Sequence, residues 1–148
     1  MKPRLNYGKI PGAIKGLLEL EKYVHHSNLE ASLFELVKMR ASQINKCGYC
    51  LDMHSKDARK AGETEQRLYT LPAWRETPFF SERERAALEW TEALTLISEN
   101  HVDDELYERV CAQFNEEDLM ALTMTIIAIN GWNRLAIPFR SEVGTYNP

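Results

Sequence analysis

Three residues in this sequence are suited to covalent chemistry by type and by spacing. Cys47-Gly48-Tyr49-Cys50 sets two thiols three positions apart, and His54 follows four residues after the second. On a helix Cys50 and His54 are i and i+4, hence neighbours on one face. An imidazole there can take the thiol proton, or stabilise the thiolate as imidazolium. Cys50 also falls in a first helical turn, where free N–H groups and the positive end of the dipole favour an anion. Both effects lower a thiol pKa, and the thiolate is the reactive form. Attack on a peroxide would leave a sulfenic acid at Cys50. Cys47, one turn away, would condense with it to a disulfide.

A helical wheel started at Cys47 puts Cys47, Cys50, Leu51, His54, Ala58 and Ala61 within about a 100° arc. Asp52, Lys56, Arg59 and Lys60 fall on the other side. Zinc is a second reading of the same residues, since Cys and His are its ligands. The fourth ligand would then come from Glu35, His25, His26 or another subunit, because the sequence has no second CxxC and no HxxxH. By wheel alone Glu35 lies opposite the stripe Leu33-Val37-Ile44 and reads as a surface ion-pair partner of Lys38. His25-His26 and His101 read as helix-end residues. Cys111, among Tyr107, Val110 and Phe114, reads as a small core hydrophobe. Trp90 and Trp132 read as core or interface aromatics.

These residues need a scaffold, and the composition bounds it. The chain has 148 residues, 44% of them hydrophobic and 27% charged, which suits one compact domain over 1–148. A net charge of −4 argues against a nucleic-acid partner, which needs a basic surface. No signal peptide is visible, because no apolar run follows the basic N-terminus. The apolar stretch Leu119 to Ile129 is well short of the ~20 residues of a membrane span. The expected address is cytoplasmic, with no membrane partner. Three cysteines make no disulfide framework, so the close pair suggests redox chemistry or half a metal site.

The chain reads as helices joined by short connectors, an all-α class with no hairpin signals. Helices are expected at Gly12 to His25, from an Asn28 cap to about Asn45, and from about Cys50 to Ala61. Gly48 is the expected hinge before the third. Thr64 caps a short turn through Leu71. Ser81 and Glu84 form a capping box for a helix ending near Asn100, with Ala87, Trp90, Thr91, Leu94 and Ile97 on one face. Asp103 and Asn115 cap the last two. The final helix, about Glu116 to Ala136, is apolar nearly all round, as for a central helix or one packed on another subunit.

Glu35, Cys47, Cys50 and His54 together spell E-x11-C-x2-C-x3-H. This pattern resembles the AhpD-like alkylhydroperoxidase family, part of the carboxymuconolactone decarboxylase superfamily. The stretch Glu35 to Asn45, the segments Arg67 to Tyr69 and Ala73 to Glu76, the run Glu82 to Leu94, and Ile129-Asn130-Gly131-Trp132-Asn133-Arg134 share the likeness. The resemblance implies an AhpD-like helical domain assembled as a trimer or hexamer. It also implies a thiol peroxidase that uses no metal or other cofactor. Its substrate would be hydrogen peroxide or an organic hydroperoxide, and its reductant a dithiol, thioredoxin-like or lipoyl-type. Carried over by position, Cys50 resembles the peroxidatic thiol, Cys47 the resolving thiol, and Glu35 and His54 the proton relay. Tyr49 stands where members serving a dedicated peroxiredoxin system often have a His. It can donate a hydrogen bond but does not shuttle protons near neutral pH. Two other classes remain as alternatives. One is a decarboxylase-type lyase or isomerase acting on a small lactone, using Arg40 or Arg134. The other is a non-enzymatic zinc-binding or redox-sensing module.

Overall fold

A computed structural model describes residues 2–148, which contain seven α-helices and no strand. They are α1 (Pro11–His25), α2 (Ala31–Asn45), α3 (Gly48–Lys60), α4 (Glu65–Thr70), α5 (Glu82–Thr95), α6 (Asp104–Cys111) and α7 (Glu116–Phe139). Short 3-10 segments cover Tyr7–Lys9 and Leu71–Glu76. The all-α expectation therefore holds.

Local sequence sets most of the helix starts. Thr64, Asp103 and Asn115 each accept a backbone N–H of the first turn they precede. Ser81 and Glu84 satisfy one another's backbone in a full capping box. The cap of α2 is not Asn28. The chain bends through residues 27–29, Leu29 is drawn into the core, and extended Glu30 is the N-cap after which the helix begins. Helix α5 stops at Thr95, short of Asn100; Leu96 leaves helical geometry and Ile97 is 65% exposed, with no core to hold it. Helix α7 runs past Ala136 to Phe139.

Helix α2 is the axis of the molecule, packed by α3, α5 and α7. Eight of its residues are buried, Lys38 and Ser42 among them. One apolar cluster joins Leu33 and Val37 of α2 to Trp90 of α5, Val110 of α6 and Leu122 of α7. A second joins Leu36 and Met39 to Ala58, Leu71, Trp74 and Leu88. A third is small: Ala41, Cys47, Cys50, Ile129 and Ala136, edged by Tyr49 and Trp132. The two thiols are thus core members where α2, α3 and α7 meet. No helix among the described residues is long and apolar enough to cross a membrane.

Candidate active site

The junction of α2 and α3 places the thiols. Lys46 caps α2 in the left-handed region (φ 60°) and makes the turn expected of Gly48, which instead opens α3. Such a conformation is available to a non-glycine at a local cost. The Cys47 amide then donates to the Ser42 carbonyl at 2.9 Å. Cys47 becomes the N-cap of α3, its Sγ accepting the Cys50 amide at 3.4 Å. Cys47 and Cys50 are joined by a disulfide with their Cα atoms 5.4 Å apart. They are 1% and 2% exposed.

His54 sits one turn after Cys50 on the same buried face of α3, with Ala58 beyond it. Its Nδ1 lies 2.9 Å from Glu35 Oε2. A carboxylate accepts, so Nδ1 carries the hydrogen and Nε2 is left as the basic nitrogen. Glu35 is therefore not a surface partner of Lys38. Helix α2 is enclosed on nearly all sides, so the face that looks polar on a wheel is turned to α3 and α1. Lys38, 3% exposed, pairs instead with Glu21 of α1 at 2.7 Å and lies over the Phe34 ring. Burial pushes the Lys38 ammonium below its ordinary range, and Glu21 opposes that. Glu21 also accepts the Trp132 indole N–H at 2.8 Å.

Asparagines hold α2 to α7 behind the thiols. Asn45 donates to the side-chain oxygens of Asn130 (2.9 Å) and Asn133 (2.8 Å), and fully buried Asn133 donates to Ser42 Oγ (3.1 Å). Buried amides of this kind fix one register, because any slip leaves polar groups unpaired.

These groups face a cavity of about 420 Å³ that opens onto Cys50, Glu35 and His54. Tyr7, Phe34, Tyr49 and Trp132 give it aromatic walls, and Lys38 with Glu21 a charged end. Burial raises the Tyr49 phenol pKa, with Tyr7 and Asp52 adding to it, so Tyr49 keeps its proton. The C-terminal segment closes the rim. Gly144 N–H donates to Asp52, Lys56 Nζ to the Tyr146 carbonyl, and Tyr146 hydroxyl to Asp57 Oδ1 at 2.7 Å. The hydrogen bond to Asp57, with slight burial, pushes the Tyr146 phenol up to about 12.

For a metal, one group among the described residues gathers its donor atoms within 4.8 Å: Glu35, His54 and Asp57. Protein partners already use them, since Glu35 holds His54 and Asp57 accepts from Tyr146. The alternative set of two thiols and an imidazole is not gathered in this way among the described residues. What the arrangement offers is a dithiol/disulfide pair beside an oriented base.

Three residues of the motif, Glu35, Cys50 and His54, thus line one cavity, and the fourth, Cys47, is bonded to Cys50. The remaining expectations divide. His26 caps α1, its Nδ1 2.6 Å from the Lys22 carbonyl oxygen, and His25 rests against the Phe34 ring. Trp90 is a core residue and donates to Thr123. Cys111 is not a core residue: it is exposed and free, because α6 turns Val110 and Leu106 inward instead. Sequence reasoning did not single out Glu21, Asp57 or Tyr146, which reach the cavity from α1, α3 and the C-terminal segment. Only the i, i+3 spacing of His54 and Asp57 was legible for any of them.

Comparison with known proteins agrees with this fold. Residues 11–93, more than half of the chain, match the carboxymuconolactone decarboxylase family. The chain is 47% identical over 138 residues to the uncharacterized protein YdfG of Bacillus subtilis (strain 168), covering 93% of this chain and 94% of that one. It is 33% identical over 117 residues to the uncharacterized protein YnjA of Escherichia coli (strain K12), covering 79% of this chain and 62% of the relative. A crystal structure from Agrobacterium tumefaciens, of a protein of unknown function described as a candidate antioxidant defence protein AhpD, superposes with a TM-score of 0.93. That match has 43% identity over 98% of this chain and all of that one. The debrominase Bmp8 shares the fold, with a TM-score of 0.81 at 22% identity, over 93% of this chain and 74% of Bmp8. A cysteine pair, a buried carboxylate–imidazole pair and this helical frame carry the same assignment as the sequence match: the chain belongs to the carboxymuconolactone decarboxylase family, on its AhpD-like side.

Proposed function

We propose that this protein is a thiol peroxidase that reduces hydrogen peroxide or organic hydroperoxides through the Cys47–Cys50 pair. The observation that carries the reading is the Glu35–His54 hydrogen bond, 2.9 Å, one helical turn from Cys50 of the bonded Cys47–Cys50 pair, with Glu35, His54 and Cys50 lining one cavity.

The dithiol form starts the cycle. His54 takes the Cys50 proton, helped by Glu35 on Nδ1 and by the α3 N-terminus beside the sulfur. The Cys50 thiolate attacks the distal peroxide oxygen. An S–O bond forms, the O–O bond breaks, and the electron pair leaves with the alkoxide, which takes the proton from His54. Cys50 is now a sulfenic acid and the peroxide an alcohol. Cys47 sulfur attacks it, forming the disulfide and releasing water. A dithiol reductant, thioredoxin-like or lipoyl-type, then returns two electrons and two protons. Buried disulfide sulfurs exchange slowly unless a slender thiol enters the cavity.

The test is peroxide consumption with a dithiol reductant. Cys50→Ser should abolish it, because a serine alkoxide is not available near neutral pH. Cys47→Ser should give one stoichiometric turnover and a sulfenic acid at Cys50 that dimedone traps. A sulfenic adduct found at Cys47 in Cys50→Ser, with none at Cys50 in the converse variant, would reverse the roles. Unimpaired steady-state turnover in both variants would refute the reading.

The same reading makes the protein a cytoplasmic homo-oligomer, a trimer or hexamer. Met120, Ile127 and Ile137 of α7 and Leu18 and Tyr23 of α1 remain 44–55% exposed, apolar surface that association would cover. Light scattering should give a multiple of the 17.1 kDa chain; a monomer at micromolar concentration would refute this.

A further inference from the structure

Asp57 has no role in the cycle above, and its position is unusual. It lies in the last turn of α3, where the dipole favours cations and where Arg59 and Lys60 otherwise stand. Local helix energetics therefore do not account for a carboxylate there. Its side chain faces the cavity, and one of its oxygens lies within 4.8 Å of both the Glu35 carboxylate and a ring nitrogen of His54. Its hydrogen-bond donor is the hydroxyl of Tyr146 at 2.7 Å. The segment that brings Tyr146 is itself tied down, by Gly144 to Asp52 and by Lys56 to the Tyr146 carbonyl.

The other groups that face His54 narrow what Asp57 can do. Helix α1 contributes Glu21 and His25, and α2 contributes Glu35 and Lys38. Glu21 and Lys38 neutralise each other at 2.7 Å. His25 is largely exposed and stands against Glu21. Tyr49 from α3, Tyr7 from the N-terminal segment and Tyr146 bring no charge near neutral pH. The Lys38 ammonium is also felt by Glu35 and Asp57, but its ion pair is with Glu21. Glu35 and Asp57 are left as the two carboxylates near the imidazole that have no lysine or arginine in contact.

We infer that Asp57, anchored by Tyr146, is a positioning residue of the dithiol site: a second carboxylate that stabilises His54 while the imidazole holds the proton taken from Cys50. The inference rests on the roles proposed above for Cys50 and His54. Glu35 binds Nδ1 directly and fixes the ring; Asp57 acts through space, and Tyr146 keeps it turned inward. The high affinity of the Tyr146 phenol for its proton makes it a donor throughout the neutral range.

The test reads the imidazole itself. The His54 ring of the reduced protein is followed by NMR across a series of pH values. A nearby negative charge raises the pKa of an imidazole by stabilising its charged form. Asp57→Asn, which keeps the shape and removes the charge, should therefore move the midpoint for His54 to lower pH, by about one unit for a charge within 4.8 Å. Tyr146→Phe should move it the same way by less, since the released carboxylate turns to solvent. A merely structural role would change melting temperature and leave the midpoint in place. An unchanged or raised midpoint in Asp57→Asn overturns the inference. If that variant does not fold, an unchanged or raised midpoint in Tyr146→Phe overturns it. Because the assay uses no peroxide, a lowered midpoint in a protein that consumes none would refute the peroxidase reading and leave this one standing.

Discussion

Helix α2 carries two part-buried charge assemblies five residues apart, and they differ in one respect that decides what each can do. At Arg40 the partner is Glu92 of α5. Glu92 accepts from Arg40 (2.8 Å), from the Trp74 indole N–H (2.8 Å) and from Arg75. Its charged partners are guanidiniums, which keep their protons at any physiological pH. At Glu35 the partner is His54, and an imidazole is a side chain that can serve as a base. The first assembly braces α5 and the Leu71–Glu76 segment against α2. The second opens on a cavity with Cys50 of the cysteine pair in its wall. A buried carboxylate alone is therefore no sign of chemistry. The sign is a titratable partner, a reactive group one turn away, and room for a substrate.

The largest expected effect tests the switchable assembly. His54→Gln removes the base, so the pH profile of peroxide reduction should move upward and the neutral rate should fall by ~10²–10⁴, the usual worth of a general base. Glu35→Gln should act in the same direction and more mildly, because the imidazole remains but is less firmly oriented and less basic. Both should leave the melting temperature within a few degrees. If Glu35→Gln unfolds the protein and spares the specific rate, the two assemblies are equivalent and the comparison fails.

The legibility of this molecule followed the range of its interactions. Helix starts at Ser81, Asp103 and Asn115 were readable because an N-cap is decided by one side chain and the next few residues. The Cys50–His54 relation was readable because i, i+4 is helix geometry. Glu35 was misread from its own helix, since a wheel describes one helix and α2 is enclosed by three. Its place in the site was legible only through the spacing of the whole four-residue motif. The turn at Lys46 was assigned to Gly48, since glycine is the default left-handed residue and nothing local marks a lysine for it. Cys111 was assigned to the core from its neighbours, but the short α6 has one inward face, and Leu106 and Val110 fill it. Glu21 and Tyr146 reach the cavity from 14 residues before Glu35 and 92 after His54, so no local pattern could place them.

The smallest effect tests the fixed assembly and separates it from the first by pH. The Glu92 carboxyl is held below its ordinary 4.5: burial opposes ionisation, but Arg75, Trp74 and Arg40 together outweigh it. A carboxyl whose folded pKa lies below its unfolded value adds stability that is fully present above the unfolded value. That stability is lost as pH falls through the depressed one. The wild-type protein should therefore lose stability below about pH 4.5. Glu92→Gln keeps the shape and can still accept from the indole, but it leaves arginines without a counter-charge. It should cost about 2 kcal/mol at neutral pH, between the worth of an exposed ion pair and the cost of breaking a buried one, or about 6 °C in Tm. The difference between wild type and variant should shrink as the medium is acidified, since protonated Glu92 is itself uncharged. Peroxide reduction per mole of folded protein should not change, because Glu92 lies on the α5 side of α2 and has no contact with the thiol cavity. Thermal melts of both proteins at neutral and acid pH, with activity measured well below Tm, decide it. A gap that stays constant with pH would show that Glu92 acts through packing. A loss of specific rate would show that the two assemblies on α2 are coupled.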